Sequence, residues 1–313
     1  MKQLQYAAGA VAIIAASWLL MLPVSDTTTY VRSIAYTPTL SPEPRASIIF
    51  GGDMMFDRSI RTTMEQQGED YVLSCISELL KSADLVVANL EGPITTYSSK
   101  SVVSKIGEEG NFTFTFPTST AALLIRHNIR LVNIGNNHIL NFGREGLQQT
   151  LAWLDERGVH SFGDISGSDV IYRTTVHSVP LSFIGYNEFG GHSSSSALAA
   201  IREEQGAGRV VVVYAHWGDE YASPPERVKI LARQFVDAGA NIVVGSHPHI
   251  VQEKELYRGA HIYYSLGNFI FDQYWNKSVR RGLLLRVEFT PTGVSSVEEI
   301  PIDNQIDRRS CAV

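Results

Sequence analysis

Cysteine is scarce in this chain of 313 residues, where it occurs only at Cys75 and Cys311. Two cysteines cannot form a disulfide framework or a thiolate zinc site, so both of these protein classes are excluded. Cys75 lies in an apolar helical pattern and is predicted to be a buried thiol. Cys311 is predicted to be an exposed thiol in a C-terminal tail.

Long runs of basic residues are also missing, and the formal net charge is −6 at pH 7. Proteins that bind nucleic acid generally carry clustered Lys and Arg, so this balance argues against a nucleic-acid partner. The hydrophobic fraction of 44% and the charged fraction of 19% are typical of a globular protein with a sizeable core.

Charged residues are absent between Lys2 and Asp26, and residues 6–24 form a continuous apolar run. Its length is about what a helix needs to span a bilayer, and no clear small-x-small cleavage site follows it. We therefore predict an uncleaved transmembrane signal anchor over residues 1–25, with a cleaved signal peptide as the alternative. The flanking charges predict a single-pass protein of the cell membrane with an extracytoplasmic C-terminal domain.

Beyond the anchor, residues 26–45 are rich in Thr, Ser and Pro and are predicted to be a linker. From residue 46 onward strand-like runs alternate with helical patterns, and strands dominate later. This order predicts an α/β domain with mixed sheets over residues 46–303, followed by a tail over residues 304–313. Strands are predicted at 47–50, 84–88, 112–116, 130–134, 171–176, 179–186, 210–215 and 241–244, and helices at 72–80, 118–127 and 143–157.

Polar side chains follow five of the predicted strands. In α/β sheets ligands bind beyond the carboxyl ends of strands, so these side chains are expected to converge. In the last cluster, Gly245 is expected to turn the chain, and Pro248 to hold His247 extended so that both histidines project to one side. The five clusters are Asp53, Asn89 with Glu91, Asn137 with His138, His216, and His247 with His249.

Together these clusters form a mixed oxygen and nitrogen ligand set. Such a set suits one or two Mn, Zn or Fe ions rather than Ca, and a bridging carboxylate could hold two of them. Taken singly, each residue has a structural explanation: Asp53 could cap a turn, Asn137 could occupy a left-handed position, and His216 could be buried against backbone. Their shared placement after strands favours a site.

Six motifs, in this order, closely resemble the bacterial capsule-synthesis CapA family of poly-γ-glutamate synthesis, which is similar to the calcineurin-like metallophosphoesterases. The resemblance covers roughly residues 47–289. It implies an αββα sandwich of two mixed sheets with a dinuclear metal site between the sheets. The motifs occupy residues 52–58, 89–91, 135–143, 216–221, 245–249 and 264–269.

The resemblance also implies a role for each motif residue. The first metal would be held by Asp53 and His249, and Glu91 would bridge the two metals. The second metal would be held by Asn137, His216 and His247. His138 would be the general acid beside the metals, and Arg58 the residue that contacts the substrate.

The chain departs from the phosphoesterase pattern at two positions. Met55 stands where a histidine ligand is expected, so the first metal position is left weak or vacant unless Glu220 or Asp57 replaces that ligand. Asn141 stands where the family pattern often has an Asp. Arg58 either binds phosphate or carboxylate through its planar fork, or pairs with Asp57 or Glu65.

The resulting expectation is a membrane-anchored protein of poly-γ-glutamate synthesis or export with a metal-dependent hydrolase-type site. An anionic polymer or a phosphoester is its expected substrate, and membrane-embedded polymer synthase subunits are its expected partners. Two alternatives stay open. The first is a general extracytoplasmic metallophosphoesterase, and the second is a non-catalytic accessory subunit that acts as a scaffold for a synthase.

Overall fold

The computed structural model describes residues 43–166 and 170–313. The predicted anchor and most of the predicted linker lie outside these residues. Within the described ranges, no helix is both long enough and apolar enough to cross a membrane.

Fourteen strands are formed by the described residues, and most coincide with the apolar runs of the sequence. Apolar alternation puts Ile48 and Phe50 on one face of the first strand and Ile49 on the other. In chain order the strands are β1 (Ala46–Met54), β2 (Leu85–Leu90), β3 (Ile129–Asn133), β4 (His160–Phe162), β5 (Ile171–Val176), β6 (Val179–Asn187), β7 (Val210–His216), β8 (Ile242–Ser246), β9 (Lys254–Tyr257), β10 (Ala260–Tyr263), β11 (Asn268–Ile270), β12 (Arg281–Thr290), β13 (Gly293–Asn304) and β14 (Ser310–Ala312).

These strands make two mixed sheets. The first has the order β14-β13-β12-β1-β2-β3-β4, with β11 paired to β1, and the second has the order β5-β6-β7-β8-β10-β9. In the first sheet β1, β2, β3 and β4 run parallel, and in the second β6, β7, β8 and β10 do. Parallel neighbours bring their carboxyl ends to one edge, which is where the predicted polar clusters lie.

Helices cover the outer faces of both sheets. One apolar core packs between the sheets and includes Phe50, Phe183 and Tyr214, while separate cores join each sheet to its own helices. This layering confirms the predicted α/β fold with two mixed sheets. The helices are α1 (Arg58–Gln67), α2 (Ser77–Lys81), α3 (Thr120–Arg126), α4 (Gly143–Glu156), α5 (Ser194–Gly206), α6 (Glu226–Ala238) and α7 (Lys277–Arg280).

Two local predictions differ from the structure, and one helix has no predicted counterpart. Residues 72–80 are not one helix, because a 3-10 turn at Glu69–Leu73 and the short α2 divide the segment. Residues 112–116 alternate like a strand, but Phe116 makes only an isolated bridge to Ile94, and the alternation serves to bury aromatic rings. The helix α5 was not predicted.

The C-terminus also differs from the prediction. Residues 304–313 are not a tail, because β14 pairs with β13. The predictions of a buried thiol at Cys75 and an exposed thiol at Cys311 are wrong, since the two form a disulfide with Cα atoms 4.9 Å apart. This bond ties the last strand to the exposed turn before α2.

Candidate metal centre

The first sheet contributes a row of polar residues to the candidate centre. Asp53 on β1 is in register with Asn89 on β2, and Asn89 is in register with Asn133 on β3. Gly52 lets the chain approach a neighbouring loop at this point, because a Cβ there would lie 1.8 Å from the Gly267 carbonyl oxygen. Any other residue would displace Asp53.

The second sheet supplies the histidines. His216 is the last residue of β7 and is in register with Ser246, the last residue of β8. Gly245 lies inside β8 rather than in a turn, which corrects the sequence prediction. Its small size is needed for packing, because a Cβ would lie 1.9 Å from the Tyr264 carbonyl oxygen.

The loop that carries His247 and His249 has an unexpected backbone. Pro248 was expected to hold His247 extended, but His247 has φ 98° and His249 has φ 58°. The tertiary contacts override the local preference, since the His247 amide donates to Asp53 Oδ2 over 3.0 Å. Both rings still face the site, with centroids 6.0 Å apart.

Two further residues beside the site also have a positive φ. Arg58 has φ 49° and Tyr221 has φ 58°. Positive φ in a residue with a side chain costs roughly 1–3 kcal/mol and is concentrated at functional sites. The strained backbone around the histidines therefore supports a functional role for this region.

The first of two potential metal-binding groups consists of Asp53, Glu91 and His249. All three are buried, and their potential ligand atoms lie within 4.8 Å of one another. His249 Nε2 is 3.6 Å from Glu91 Oε1, and its Nδ1 is 3.4 Å from Asp53 Oδ2. This group has one imidazole only.

The second group consists of Glu91, His216 and His247, again within 4.8 Å and buried. Asn137 extends it, because its Oδ1 lies 2.9 Å from His216 Nε2. This group has two imidazoles and is the better equipped of the two. Glu91 is common to both groups, as expected for a bridging carboxylate.

The donor set fits a divalent transition metal. Glu91 Oε1 and His247 Nδ1 are both buried, and within the described ranges neither has a hydrogen-bond partner. Buried polar atoms are rarely left unpaired, because desolvating them is unfavourable. An ion held by Glu91 and His247 would account for these unpaired atoms and for the carboxylate and imidazole groups that converge around them.

The histidines are held in the neutral form that metal binding requires. Burial lowers the pKa of His216 well below its usual value, and the nearby charge of His247 lowers it further. Burial, together with His249, lowers the pKa of His247 to about 4. Above that pH an ion need not displace a proton from either ring.

The two carboxyl groups shift in opposite directions. Burial raises the pKa of Glu91 well above its usual value, and the neighbouring Asp53 charge adds to this. Burial acts in the same sense on Asp53, but the hydrogen bond to His249 and the charges of His249 and His216 outweigh it and lower the pKa. The negative charge of Glu91 is therefore less well compensated than that of Asp53.

The sequence analysis included Asn89 in a polar cluster but did not predict that amides would orient the candidate ligands. Asn89 is buried and donates to Asp53 Oδ1 over 2.8 Å, while its own oxygen accepts from Asn133 and Asn136, each over 3.1 Å. On the second sheet, His216 Nδ1 lies 3.1 Å from Ser246 Oγ and 3.3 Å from Asn89 Nδ2, and these contacts orient the ring with Nε2 toward Asn137.

His138 lies at the edge of the centre, half-buried, next to the exposed Asn137. Its Nδ1 faces Asn141 Nδ2 over 3.1 Å, and the same amide nitrogen donates to the Phe112 carbonyl over 2.9 Å. Because that nitrogen is a donor, His138 accepts at Nδ1 and carries its proton on Nε2. Burial lowers the pKa of His138 to about 3, with a further contribution from His249.

The other residues named from the sequence have different surroundings. Met55 is buried in the core, and Asp57 does not replace the missing ligand, because it accepts from Arg61 Nε over 3.0 Å and from the Thr115 amide over 2.8 Å. Glu220 is exposed at the rim, and its charge contributes to raising the Glu91 pKa. Arg58 pairs with Asp272 over 2.6 Å, rather than with Asp57 or Glu65.

We expect Asn268→Ala to weaken metal binding by about 10–100-fold, the range found for residues that orient a ligand. Asn268 Oδ1 accepts from His249 Nδ1 over 3.0 Å, and its amide is fixed by donation to Gln273 and the Val279 carbonyl. Metal titration of both proteins measures the change. Equal affinities would contradict the orienting role, and Asn276→Ala, at an exposed helix cap, serves as the control.

The fold and the site together define an α/β two-sheet protein with a candidate two-metal centre at the strand ends of both sheets. Residues 47–273 match the family described as bacterial capsule synthesis protein PGA_cap. The chain belongs to this family, and the predicted CapA-family membership is confirmed.

Named relatives agree with this assignment. The PGA biosynthesis protein CapA of Bacillus subtilis strain 168 is 30% identical over 277 residues, covering 82% of this chain and 71% of the relative. The capsule biosynthesis protein CapA of Bacillus anthracis is 28% identical over 322 residues, covering 95% of this chain and 74% of the relative. A probable polyglutamine synthesis accessory protein of Mycobacterium tuberculosis is 28% identical over 171 residues, covering 44% of each chain.

A solved structure supports the fold. The crystal structure of a hypothetical protein from Thermus thermophilus is similar with a TM-score of 0.52 and 16% identity, and the match covers 82% of this chain and 99% of the other. At this identity the likeness concerns the fold alone.

Proposed function

We propose that this chain is a metal-dependent, hydrolase-type protein of poly-γ-glutamate synthesis or export, acting on an anionic polymer or a phosphoester. The polymer assignment is supported by the family and by the names of its Bacillus relatives. The hydrolase assignment is supported by one observation above all: the buried carboxylate of Glu91 belongs to two potential metal-binding groups.

The residues of the two groups, together with Asn137, would hold the ions. Asp53, Glu91 and His249 fit one position, and Glu91, His216, His247 and Asn137 fit the other. Bound Mn, Zn or Fe would act as a Lewis acid and would lower the pKa of a bound water toward neutral pH. The ligand set of carboxylate, amide and imidazole groups suits all three metals.

The side chain of His138 is placed to move a proton beside this centre. Its Nε2 carries hydrogen because Asn141 occupies Nδ1, so the neutral ring can donate a hydrogen bond to a leaving oxygen, and full transfer of a proton requires the imidazolium form. The ring packs against Phe114 with centroids 4.4 Å apart, which fixes its orientation. The neighbouring Asn137 ties this loop to His216.

We further propose that the protein is anchored in the cell membrane by residues 1–25, with the folded domain outside the cytoplasm. The apolar run over residues 6–24 supports an anchor. The Cys75–Cys311 disulfide supports the location, because disulfides persist in oxidising compartments and are rare in the cytosol.

His138→Ala should abolish turnover while leaving metal content unchanged. The ring is not part of either potential metal-binding group, and it supplies the proton in the proposed reaction. Loss is expected to be about 10²–10⁴-fold, the usual contribution of a general acid. Hydrolysis of a generic phosphodiester and of poly-γ-glutamate, with metal analysis of the same samples, measures both properties.

The exposed His177, which lies on the turn between β5 and β6, provides a matched control. His177→Ala should leave both turnover and metal content unchanged. Loss of metal from His138→Ala would mean that this residue is a ligand rather than an acid. A wild-type protein that holds no transition metal would rule out the hydrolase assignment.

A non-catalytic accessory role is the second candidate. One observation favours it: Met55 leaves the first potential group with a single imidazole, and neither Asp57 nor the exposed Glu220 completes that group. A bound metal without turnover on either substrate, together with co-purification of membrane-embedded synthase subunits, would select this role.

A further inference from the structure

A cavity of about 520 Å³ adjoins the candidate metal centre at Arg58. It lies between the start of α1, the loop after β2 and the turn before β14. The side chains that give it its chemical character are Arg58, Arg308, Asp272, Tyr274, Trp275 and Ile106.

Two guanidinium groups and one carboxylate line this cavity, so its formal charge is positive. The carboxylate of Asp272 is already occupied. Its Oδ2 accepts from the backbone amide and the hydroxyl of Ser59, over 3.2 and 3.0 Å, and its Oδ1 pairs with Arg58 Nη2. Asp272 therefore positions Arg58 and leaves the charge of Arg308 uncompensated inside the cavity.

Two donors in the cavity wall lack partners. Arg58 Nε and the Tyr274 hydroxyl are both buried, and neither has a hydrogen-bond partner in the part of the chain that the structure describes. Burial also raises the pKa of Tyr274, so the hydroxyl keeps its proton at neutral pH. The guanidinium carbon of Arg308 lies over the Tyr274 ring, 4.7 Å from its centroid.

Arg58 connects the cavity to the metal centre through two aromatic rings. Its guanidinium carbon lies 5.0 Å from the centroid of Phe114 and 5.4 Å from that of Phe271. Phe114 packs on His138 with centroids 4.4 Å apart, and Phe271 packs on His249 at 4.6 Å. A ligand held by Arg58 would thus lie one aromatic layer from both histidines.

We propose that this cavity is a subsite for a carboxylate-bearing anionic polymer, with Arg58, Arg308 and Tyr274 donating to its carboxylate groups. The subsite rests on the proposed function, which supplies the polymer. Guanidinium groups bind carboxylates through paired hydrogen bonds, and the unpartnered donors provide such bonds.

The mouth of the cavity favours a polymer over a small anion. Trp275 is 63% exposed and Ile106 is 97% exposed, and both line the cavity. A γ-linked glutamate chain has a carboxylate and methylene groups in every unit, so it can contact the basic floor and the apolar mouth together. Inorganic phosphate could accept from the basic and hydroxyl donors but has no methylene groups to contact the apolar mouth.

Binding of a short γ-linked glutamate oligomer to the metal-loaded full chain tests the subsite. We expect Arg308→Gln and Tyr274→Phe each to weaken binding by about tenfold, since each removes a donor to a charged group. Tyr274→Phe should not disturb folding, because its hydroxyl bonds to no described residue. Arg309→Gln is the matched control: Arg309 is the next residue, pairs with Asp307 and does not line the cavity.

Each result has a defined meaning. Unchanged affinity in both Arg308→Gln and Tyr274→Phe, with normal thermal unfolding, would overturn the subsite. Phosphate that binds as tightly as the oligomer and is lost in the same variants would overturn the polymer assignment. If the two variants weaken oligomer binding as expected but the wild-type protein hydrolyses neither substrate, the subsite is supported and only the hydrolase function is rejected.

Discussion

Glu91→Gln is expected to remove metal from both positions at once. Glu91 is the one residue common to the two groups, and its Oε1 has no hydrogen-bond partner among the described residues. The substitution keeps the shape of the side chain and removes its charge. Affinity should fall by more than about 100-fold, beyond the range found for residues that only orient ligands.

The same substitution should have opposite effects on stability with and without metal. The raised pKa of Glu91 means that the metal-free protein loses stability as pH rises above the ordinary carboxyl value of 4.5. Glu91→Gln removes this penalty, so at a pH of about 8 the metal-free variant should unfold at a higher temperature than wild type. With metal added, wild type should gain stability and the variant should not.

Asp57→Asn is the matched control for this experiment. Asp57 is a buried carboxylate near the same strand end, but its oxygens are bonded to Arg61 and to the Thr115 amide. The Asp57→Asn variant should therefore lose stability and keep its metal. If Asp57→Asn and Glu91→Gln lose metal equally, the loss reflects general disruption, and Glu91 is not specifically a ligand.

Removing the disulfide should produce the largest loss of stability. Cys75 and Cys311 are separated by 236 residues, and closing a loop of that size restricts the unfolded chain strongly. We expect Cys75→Ser with Cys311→Ser to lower the free energy of unfolding by about 3–5 kcal/mol. Urea denaturation under oxidising conditions measures the difference.

Reduction provides an independent control for this prediction. Wild type treated with a thiol reductant should unfold at the same urea concentration as the double variant, and the double variant should not respond to reductant. A wild-type protein that is insensitive to reductant would contradict a disulfide in the purified protein. The bond also anchors the strand that follows Arg308, so reduction should weaken oligomer binding at the proposed subsite.

The position of the candidate site was predictable because it depends on one rule of α/β sheets. Asp53, Glu91, His216 and His247 were placed at strand ends from apolar runs alone, and the structure brings them together. The convergence from two different sheets came instead from the family resemblance. Pairing of β7 with β8 and of β1 with β2 is long-range information that single apolar runs do not contain.

The residues that orient the ligands were hidden by their surroundings in the sequence. Asn133 lies inside a predicted strand and did not stand out as functional, while Asn268 was included in the family motif over residues 264–269 without a role of its own. The positive φ of His247 was equally inaccessible, because Pro248 favours the opposite conformation. A tertiary hydrogen bond from its amide to Asp53 sets that angle.

The C-terminal errors have a related cause. Residues 304–313 carry no apolar period, and β14 is held by pairing with β13 and by a bond to Cys75 far away in sequence. The count of two cysteines excluded a framework of several disulfides, but it did not exclude a single disulfide bond. The segment 194–206 was missed because small and charged residues dominate it, with few buried side chains to mark one face.

Anomalous diffraction from crystals grown with Mn or Zn tests the central claim most directly. The account predicts a metal peak within about 2.0–2.2 Å of a Glu91 carboxylate oxygen, the usual metal–oxygen distance, on the side of His216 and His247. A second peak toward Asp53 and His249 would show that Glu91 bridges two ions. Saturated crystals with no peak beside Glu91 would contradict the account.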